Sequence, residues 1–294
     1  MNAEHIEVFE SARPGLLGLA YRILGSLSDA EDAVQDTWLK WQAASRDEIA
    51  KPPAWLTTTC TRRCLDLLRA AHRSRTDYVG VWLPEPIEAA GQDEADTSVA
   101  IAASLSTAFL LLLERLTPKE RAAFLLHEVF DRPYVETAEA IGVEEATCRK
   151  LVSRARANIA QSRVRSRTPT DRQETLLAAF RDAVETGHPG PLATLLSDDI
   201  RLTADGGGKV PTIREAVTGK ARVVRFVARK LSHYWAMVDW SPRRLNGNPG
   251  FVLSEAGETV AAVSFGYDES GDATDIFIVR NPDKLARLQP VSLH

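Results

Sequence analysis

The spacing of apolar residues between Leu116 and Ile159 predicts three consecutive helices. The first begins with Thr117 and Pro118 and has Glu120 three residues after the threonine, which is typical of a capping box. A second, short helix is expected over residues 134–141. Gly142 follows it, and glycine tolerates the left-handed conformation that ends one helix and turns the chain into the next. The pattern therefore predicts a helix-turn-helix.

The third of these helices, expected to begin near residue 144, has one apolar face and one basic face. Its apolar stripe consists of Cys148, Leu151, Val152, Ala155 and Ile159. The opposite face consists of Arg149, Lys150, Ser153, Arg154 and Arg156. Seven Arg or Lys and no Asp or Glu lie between residues 149 and 167, which suits contacts with DNA phosphates and insertion into a major groove. The basic face of an isolated helix is as often merely solvated as it is a binding surface. The helix-turn-helix in front of this one favours DNA binding.

Two further helices are predicted near the N-terminus, over residues 15–42. The second has a capping-box pattern at residues 28–31 and keeps its apolar residues on one face. Its other face is mostly acidic and consists of Asp29, Glu31, Asp32, Gln35 and Asp36. The next helix begins at Pro52, and its outward arginines are Arg62, Arg63, Arg69, Arg73 and Arg75. Taken alone, an acidic face of this kind is usually only solvated.

Residues 171–294 change in character from helical to mixed. Amphipathic helices are predicted around residues 176–184 and 221–231. Between and after them come β-rich segments, at residues 200–204, 251–254, 259–267 and 274–280. Helices on one side of a curved antiparallel sheet imply an α+β cone with an interior.

Two connectors separate these parts of the chain. Residues 76–104 contain prolines, glycines and an acidic run, as linkers do, and residues 162–170 are rich in Arg and Ser. Within the first connector, however, residues 78–86 are apolar and centre on Trp82, Leu83 and Pro84. An apolar segment inside a polar linker indicates a docking site, and the alternative is a strap that covers an apolar edge of its own helical domain.

Composition sets limits on this picture. The chain has 294 residues, a formal net charge of −4 and 44% hydrophobic residues, which predicts a soluble protein of two or three domains. It has no apolar run of about 18 residues and no basic-then-apolar start, so we expect a cytoplasmic protein without membrane contact. Cys60, Cys64 and Cys148 lack C-x-x-C spacing, so neither a disulfide framework nor a zinc site is predicted.

Several motifs occur together and in order. Residues 29–41 read D-A-E-D-A-V-Q-D-T-W-L-K-W, residues 52–56 match P-x-A-W-L, and residues 64–69 read C-L-D-L-L-R, all before the helix-turn-helix. In this combination the chain resembles the bacterial extracytoplasmic-function sigma factors. Its C-terminal part resembles the SnoaL-like cone domains. The motifs W-L-P-E-P at 82–86, D-G-G-G-K at 205–209 and N-P-D-K-L at 281–285 resemble the sigma-factor subgroup that carries such a domain.

The resemblance implies a multidomain fold of two all-α sigma domains, the second a helix-turn-helix, followed by an α+β SnoaL-like cone. Sigma region 2 is expected at residues 1–77, a linker at 78–104 and sigma region 4 at 105–164. A connector at 165–171 then leads to the cone at 172–294.

The resemblance also implies two partners, the core RNA polymerase and promoter DNA. The acidic helix, through Asp29, Glu31, Asp32, Gln35 and Asp36, would dock on the clamp helices of the polymerase β′ subunit. The loop at residues 45–53 and the helix after it would melt and read the −10 element, with Trp55, Arg62, Arg63 and Arg69 facing the DNA. The −35 element would be read by Arg149, Lys150, Ser153, Arg154 and Arg156.

We further expect the cone to regulate the sigma domains in cis by docking on the apolar linker. The residues expected at this regulatory contact are Trp82, Leu83, Pro84, Asp205, Lys209, Asn281, Pro282, Asp283, Lys284 and Leu285. A tether as short as residues 162–170 would keep even a weak contact populated.

Two other functions remain open from the sequence. A helix-turn-helix repressor or activator with a ligand-binding cone would leave the acidic helix and the Trp55 helix without a task. An enzyme would need an acid–base pair in the cone, and no spacing links the candidates, which are Asp205, Lys209, His233, Tyr234, Asp239 and Asp275. Residues 205–209 lack the spacing of a P-loop, and no cofactor or metal ion is predicted.

Overall fold

The computed structural model describes residues 3–45, 49–75, 78–88, 105–160 and 169–288. The chain divides into two compact units. One comprises Met1–Asp77 and Leu112–Gln161, and the other comprises Tyr78–Leu111 and Ser162–His294. Each unit is therefore built from two separate stretches of chain.

The first unit is all-helical. Its helices are α1 (Ala3–Leu24), α2 (Leu27–Ala43), α3 (Pro52–Arg75), α5 (Pro118–Phe124), α6 (Tyr134–Ile141) and α7 (Glu145–Ala160). A π-helical turn, Leu125–Val129, continues α5. Helix α4 (Thr107–Leu113) begins in the second unit and ends in the first.

The N-terminal helices depart from the predicted bounds in two ways. Helix α1 begins at Ala3, twelve residues before the predicted start, and it contains Pro14. The cap of α2 is Ser26, whose hydroxyl accepts a hydrogen bond from the Asp29 amide, so the expected cap at Ser28 is wrong. A serine three residues before an acid occurs at both positions, and the packing of α2 selects the earlier one. Cys60 and Cys64 lie fully buried in α3.

The helix-turn-helix follows its sequence pattern closely. Thr117 and Glu120 form the predicted capping box, with Pro118 at the first helical position. Helix α6 has the predicted bounds, and Gly142 ends it in the left-handed conformation at φ 65°. In α7 the predicted stripe is buried at Cys148, Val152, Ala155 and Ile159 and half-buried at Leu151.

The second unit is α+β, as predicted. Its helices are α8 (Thr170–Thr186), α9 (Gly190–Ala193), α10 (Lys220–Phe226), α11 (Ser232–Trp235) and α12 (Pro282–Leu285). Its strands are β1 (Leu196–Asp205), β2 (Val217–Thr218), β3 (Asp239–Leu245), β4 (Asn248–Glu255), β5 (Glu258–Tyr267) and β6 (Ala273–Val279). They form one sheet in the order β2-β1-β6-β5-β4-β3.

The sheet is mixed rather than antiparallel. Strands β1 and β6 pair in parallel, with Leu202 opposite Ile276, while the other pairs are antiparallel. The expectation of an antiparallel sheet is therefore wrong for this pair. A parallel pair requires a crossover connection, and the helices between β2 and β3 lie within that connection.

Both faces of the sheet are covered. One face packs with α8, α10 and α11 around a core that includes Phe180, Trp235 and Phe265. The opposite face carries a smaller apolar cluster in which Leu83 and Ala108 pack with sheet residues such as Phe277. The apolar linker segment and the start of α4 therefore belong to the core of the second unit.

Several sequence predictions lie outside the described residues. They are positions 46–48 of the loop at 45–53, the side chains of Arg73 and Arg75, residues 76–77 and 89–104 of the first connector, and positions 162–168 of the second. Within the described ranges, none of the helices is both long and apolar enough to cross a membrane.

Candidate functional site

Helix α7, the third helix of the helix-turn-helix, presents its polar face to solvent. Lys150, Ser153 and Arg154 are exposed on this face. Arg156 is also exposed, and its guanidinium is paired with Glu128, with 2.5 Å between Nη2 and Oε1. All five predicted −35 residues are thus exposed, and Arg149 lies nearest the N-terminal end of the helix.

The acidic helix α2 likewise keeps its predicted face accessible. Glu31, Asp32 and Gln35 are exposed, whereas Asp29 and Asp36 are half-buried. Asp36 is ion-paired with Arg63 of α3, at 2.6 Å between Oδ2 and Nε. One residue predicted to bind polymerase and one predicted to bind DNA are therefore paired with each other in this structure.

The other predicted −10 residues also have partners within the protein. Trp55 is half-buried, and its ring lies 5.6 Å from that of Trp41. Arg69 is paired with Asp66 at 3.2 Å. Arg62 Nη2 donates a hydrogen bond to the backbone carbonyl of Glu139 in α6, at 2.8 Å.

That last contact belongs to a packed surface between the helix of Arg62 and the helix-turn-helix. Helix α3 lies against α6, and a groove between them is lined by Thr57, Thr58, Thr137 and Ala140, among others. The helix-turn-helix therefore packs beside Arg62 in the first unit, while Arg62 and Arg69 remain exposed.

Two buried arginines connect α1 with α5 and with the residue that follows the π-helical turn. Arg121 of α5 is 4% exposed, and its Nη1 donates to the carbonyl of Ile23 at 2.7 Å and to Glu114 at 2.6 Å. The carbonyl of Ile23 is at the C-terminal end of α1, where a cation complements the helix dipole. Arg22 lies over the Phe130 ring, and burial lowers its pKa to about 10, which leaves it charged at neutral pH.

The motifs of the second unit meet at Asp205, the last residue of β1. Strand alternation places Asp205 on the sheet face opposite to Leu202, and its side chain is fully buried. The carboxylate accepts hydrogen bonds from the Tyr78 hydroxyl at 2.6 Å, the Leu83 amide at 2.9 Å and the Gly207 amide at 2.9 Å. It also pairs with Lys284 at 2.7 Å. We call this set of contacts the Asp205 clasp.

Lys284 completes the clasp from the N-P-D-K-L motif. Its ammonium donates to the Leu83 carbonyl and lies 4.4 Å from the centre of the Trp82 ring. Asn281 caps α12 by accepting from the Asp283 amide and donates from Nδ2 to the Tyr78 hydroxyl. The linker segment is thus held by a buried charge pair as well as by apolar packing.

The remaining predicted residues of this contact divide into buried and exposed sets. Pro84 and Leu285 are buried, and Leu285 belongs to the apolar cluster beneath the linker. Lys209 and Asp283 form an exposed ion pair beside the clasp, with 2.5 Å between Nζ and Oδ2. Pro282 occupies the first turn of α12, where proline fits because no helical hydrogen bond is lost.

Two glycines of the D-G-G-G-K motif allow this close approach. Gly207 has φ 62°, and a Cβ there would lie 2.3 Å from Asn281 Nδ2. Gly208 has φ 71°, and a Cβ there would lie 3.1 Å from the Val79 Cβ. These residues therefore serve the contact with the linker and with α12, which agrees with the lack of P-loop spacing.

Burial, and next the hydrogen bond to Asp205, raises the pKa of the Tyr78 phenol. The phenol is therefore neutral at physiological pH and acts as the donor to the carboxylate. Tyr78 was not among the regulatory residues expected from the sequence, although it begins the apolar segment 78–86.

Comparisons with known proteins agree with both helical parts. The Sigma-70 region 2 model matches residues 8–74, and the Sigma-70, region 4 model matches residues 106–159. The chain is 40% identical over 232 residues to the ECF RNA polymerase sigma factor SigJ of Mycobacterium tuberculosis, covering 78% of this chain and 74% of SigJ. The chain belongs to the extracytoplasmic-function (ECF) sigma factors.

Further relatives extend the match into the C-terminal unit of this sigma factor. A probable ECF RNA polymerase sigma factor, SigI of Mycobacterium tuberculosis, is 30% identical over 279 residues, covering 94% of this chain and 93% of SigI. The crystal structure of SigJ superposes with a TM-score of 0.73 at 33% identity, covering 96% of this chain and 98% of that structure. The C-terminal α+β unit is thus shared with other members of the family.

Proposed function

We propose that the protein is an alternative sigma factor that directs core RNA polymerase to specific promoters and promotes strand opening. The observation that carries this proposal is the presence, in one chain, of an exposed acidic face on α2 and an exposed basic face on α7. A conventional repressor or activator would need the second face but would have no use for the first.

In this proposal each surface has one partner. The exposed Glu31, Asp32 and Gln35, with Asp29 and Asp36 beside them, bind the β′ clamp helices of polymerase. The −10 element is held by Trp55, Arg62, Arg63 and Arg69, and the −35 element by the basic face of α7. Cationic side chains and an aromatic ring suit melted DNA, because the backbone is anionic and each base has a face that can stack.

The structure adds a condition to the −10 contact. Arg62 is bonded to Glu139, and Arg63 is paired with Asp36. In this proposal both arginines exchange these partners for DNA, which removes one hydrogen bond between α3 and α6 and one ion pair between α3 and α2. Docking of polymerase on α2 would also compete directly for the carboxylate of Asp36.

Transcription from a promoter library tests the proposal. Purified core polymerase, with and without the full chain, is given templates randomised at the −35 and −10 elements, and transcripts are sequenced. We expect transcripts that depend on the protein to start only from templates with a narrow set of −35 sequences and a narrow set of −10 sequences. Binding of duplex DNA without any protein-dependent transcript would instead favour the repressor or activator.

We further propose that the C-terminal unit acts in cis through the Asp205 clasp. The clasped residues 78–88 lie in the chain between the region 2 match, which ends at 74, and the region 4 match, which begins at 106. Eleven residues reach at most about 36–40 Å when extended. Releasing the segment would therefore increase the maximum distance that the linker can span between the surfaces proposed for the −10 and −35 elements.

Promoters with different spacers between the two elements test this regulation. We expect Lys284→Ala, which removes the buried cation of the clasp, to broaden the range of spacer lengths that support transcription. The matched control is Lys209→Ala, which removes an exposed cation of the same region. Identical spacer profiles for Lys284→Ala and the unaltered protein would show that the clasp does not regulate promoter choice.

The catalytic alternative would need an acid–base pair, and in the described part of the cone the contacts of Asp205 and Asp275 give it little support. The carboxylate of Asp205 is bound by the linker and Lys284. Burial raises the pKa of Asp275, with Thr274 and Arg201 opposing it, and its carboxylate is paired with Arg201 at 3.4 Å. Strand alternation places Asp275 on the face of Phe277, opposite the core that would form a cone interior.

A further inference from the structure

A stack of three side chains lies at the N-terminal end of the basic face of α7. The rings of His127 and Tyr134 lie face to face, with centroids 3.8 Å apart and planes 29° from parallel. The guanidinium of Arg149 lies over the Tyr134 ring, with Cζ 4.3 Å from its centre. The phenol ring therefore lies in contact with both an imidazole and a guanidinium.

The turn before α6 places the two rings together. The π-helical turn is closed by the Phe130 amide donating to the Leu125 carbonyl, five residues back. His127 Nδ1 then donates to the Arg132 carbonyl at 2.8 Å, which ties the imidazole to the chain just before Tyr134. Tyr134 is the first residue of α6, so its backbone is fixed by the helix as well.

Arg149 is also held along one edge of its guanidinium. Its Nε and Nη2 donate to the same carboxylate oxygen of Glu145, one turn earlier in α7, at 3.0 and 2.5 Å. The side chain is nevertheless 58% exposed. A guanidinium packed on a ring and bonded along one edge has few rotamers left, so its other edge points to solvent in a defined direction.

We infer that Tyr134 is a positioning residue for base-specific recognition by Arg149. This inference rests on the function proposed above, in which α7 enters the major groove of the −35 element. The N-terminal residues of a recognition helix contact base edges, and Arg149 lies little more than one turn into α7. The chemistry that suits its free edge is the O6 and N7 pair of guanine.

The ring has a structural role as well as this one, so the test must separate the two. Packing alone would affect folding and the affinity for every DNA sequence alike. Positioning of Arg149 affects discrimination between bases, because a mobile arginine must be ordered on binding whereas a held one is already ordered. The sensitive readout is therefore the ratio of activities on the preferred promoter and on single-base variants of its −35 element.

A double-mutant cycle on full-length protein with core polymerase makes this measurement. The variants are Tyr134→Ala, Arg149→Ala and the double variant. We expect Tyr134→Ala to reduce discrimination at one guanine position about threefold to tenfold, as expected for loss of a cation–π contact and of a fixed rotamer. In the Arg149→Ala background the same change should leave discrimination unaltered.

Two further variants serve as controls. Tyr134→Phe keeps the ring face under Arg149 and should retain full discrimination. Val135→Ala alters the adjacent residue, which is 63% exposed, and should behave as the unaltered protein. Thermal unfolding of each variant shows whether a change in discrimination accompanies a loss of the fold.

The outcomes are distinct. An equal loss on all promoter variants, an undiminished effect of Tyr134→Ala without Arg149, or a Tyr134→Phe variant as poor as Tyr134→Ala would each overturn the inference. If Tyr134→Ala does not fold, discrimination by Tyr134→Leu, which keeps bulk but no ring, decides in its place. Absence of any protein-dependent transcript would instead overturn the proposed function itself.

Discussion

Neutralising Asp205 should release the linker segment. In the Asp205→Asn variant the side chain keeps its shape, but an amide NH₂ replaces one oxygen that now accepts hydrogen bonds. That NH₂ would face either Lys284 and the Leu83 amide or the Tyr78 hydroxyl and the Gly207 amide, which all act as donors to Asp205. The variant therefore removes the carboxylate that faces the Lys284 ammonium and creates at least one contact between two donors.

The magnitude follows from burial of the pair. Asp205 is fully buried and the Lys284 side chain is 12% exposed, so solvent screens their interaction poorly. Removing one partner of such a pair typically costs about 3–5 kcal/mol, because the remaining charge stays buried. The opening equilibrium of the clasp should then rise by a factor of roughly 10²–10³, since about 1.4 kcal/mol corresponds to a factor of ten.

Hydrogen exchange at the Leu83 amide measures this opening directly. That amide donates to Asp205 Oδ2 and exchanges only when the clasp opens. We expect its protection factor to fall by two to three orders of magnitude in Asp205→Asn, while amides in α7 stay unchanged. Asp283→Asn is the matched control, because it removes a charge from an exposed ion pair worth no more than about 1 kcal/mol.

Two results would refute this reasoning. Unchanged protection of Leu83 in Asp205→Asn would mean that apolar packing alone holds the segment. Equal losses of Leu83 protection in Asp205→Asn and Asp283→Asn would mean that burial of the Asp205–Lys284 pair does not strengthen its contribution to the clasp. Loss of protection throughout β1 and β6 would show that the substitution unfolds the sheet, and Lys284→Met, which removes the cation but keeps an apolar stem, would then be the variant to measure.

Two other predictions concern the first unit. Replacing Glu31 and Asp32 by Lys should weaken binding to core polymerase at least tenfold, as measured by fluorescence anisotropy, because like charges across an interface are costly. The control Asp182→Lys on α8 should bind polymerase as the unaltered protein does. If the double variant and the unaltered protein had equal affinities, α2 would not be part of the interface. Arg121→Gln should weaken the contact of α5 with the end of α1, since hydrogen bonds of charged groups contribute about 1.5–3 kcal/mol. The affinity for a single-stranded −10 oligonucleotide should therefore rise, by up to about tenfold. Unchanged affinity in a folded Arg121→Gln variant would mean that this packing does not restrict DNA access.

The sequence by itself determined the helix-turn-helix almost to the residue. The capping box of Thr117 and Glu120, the αL residue Gly142 and the stripe in α7 involve contacts within three or four positions along the chain. Such contacts can be predicted from the sequence, because helix geometry fixes which neighbouring residues meet. The family resemblance, carried by motifs in order, then agreed with the comparisons over both helical regions.

The sequence predicted the sheet only in part, because strand pairing joins residues that are far apart along the chain. Strands β4, β5 and β6 were predicted near their observed bounds, but β2 and β3 were missed. Strand β3 contains Pro242 and two adjacent arginines, which is a poor strand pattern. It is tolerated because β3 lies at one edge of the sheet. The parallel pairing of β1 with β6 joins segments about seventy residues apart, and no local pattern encodes it.

Tertiary structure alone decided how the motifs are used. Asp205, Lys284 and Leu83 were each noticed in the sequence, yet their union in one buried clasp depends on strand alternation and on α12 folding back over the sheet. The pairing of Asp36 with Arg63, the bond from Arg62 to Glu139 and the stack of Tyr134 with Arg149 likewise join residues from different helices. Residue order specifies which side chains are available, whereas packing specifies which of them meet, because such pairs are brought together only when distant elements bury their shared apolar surface.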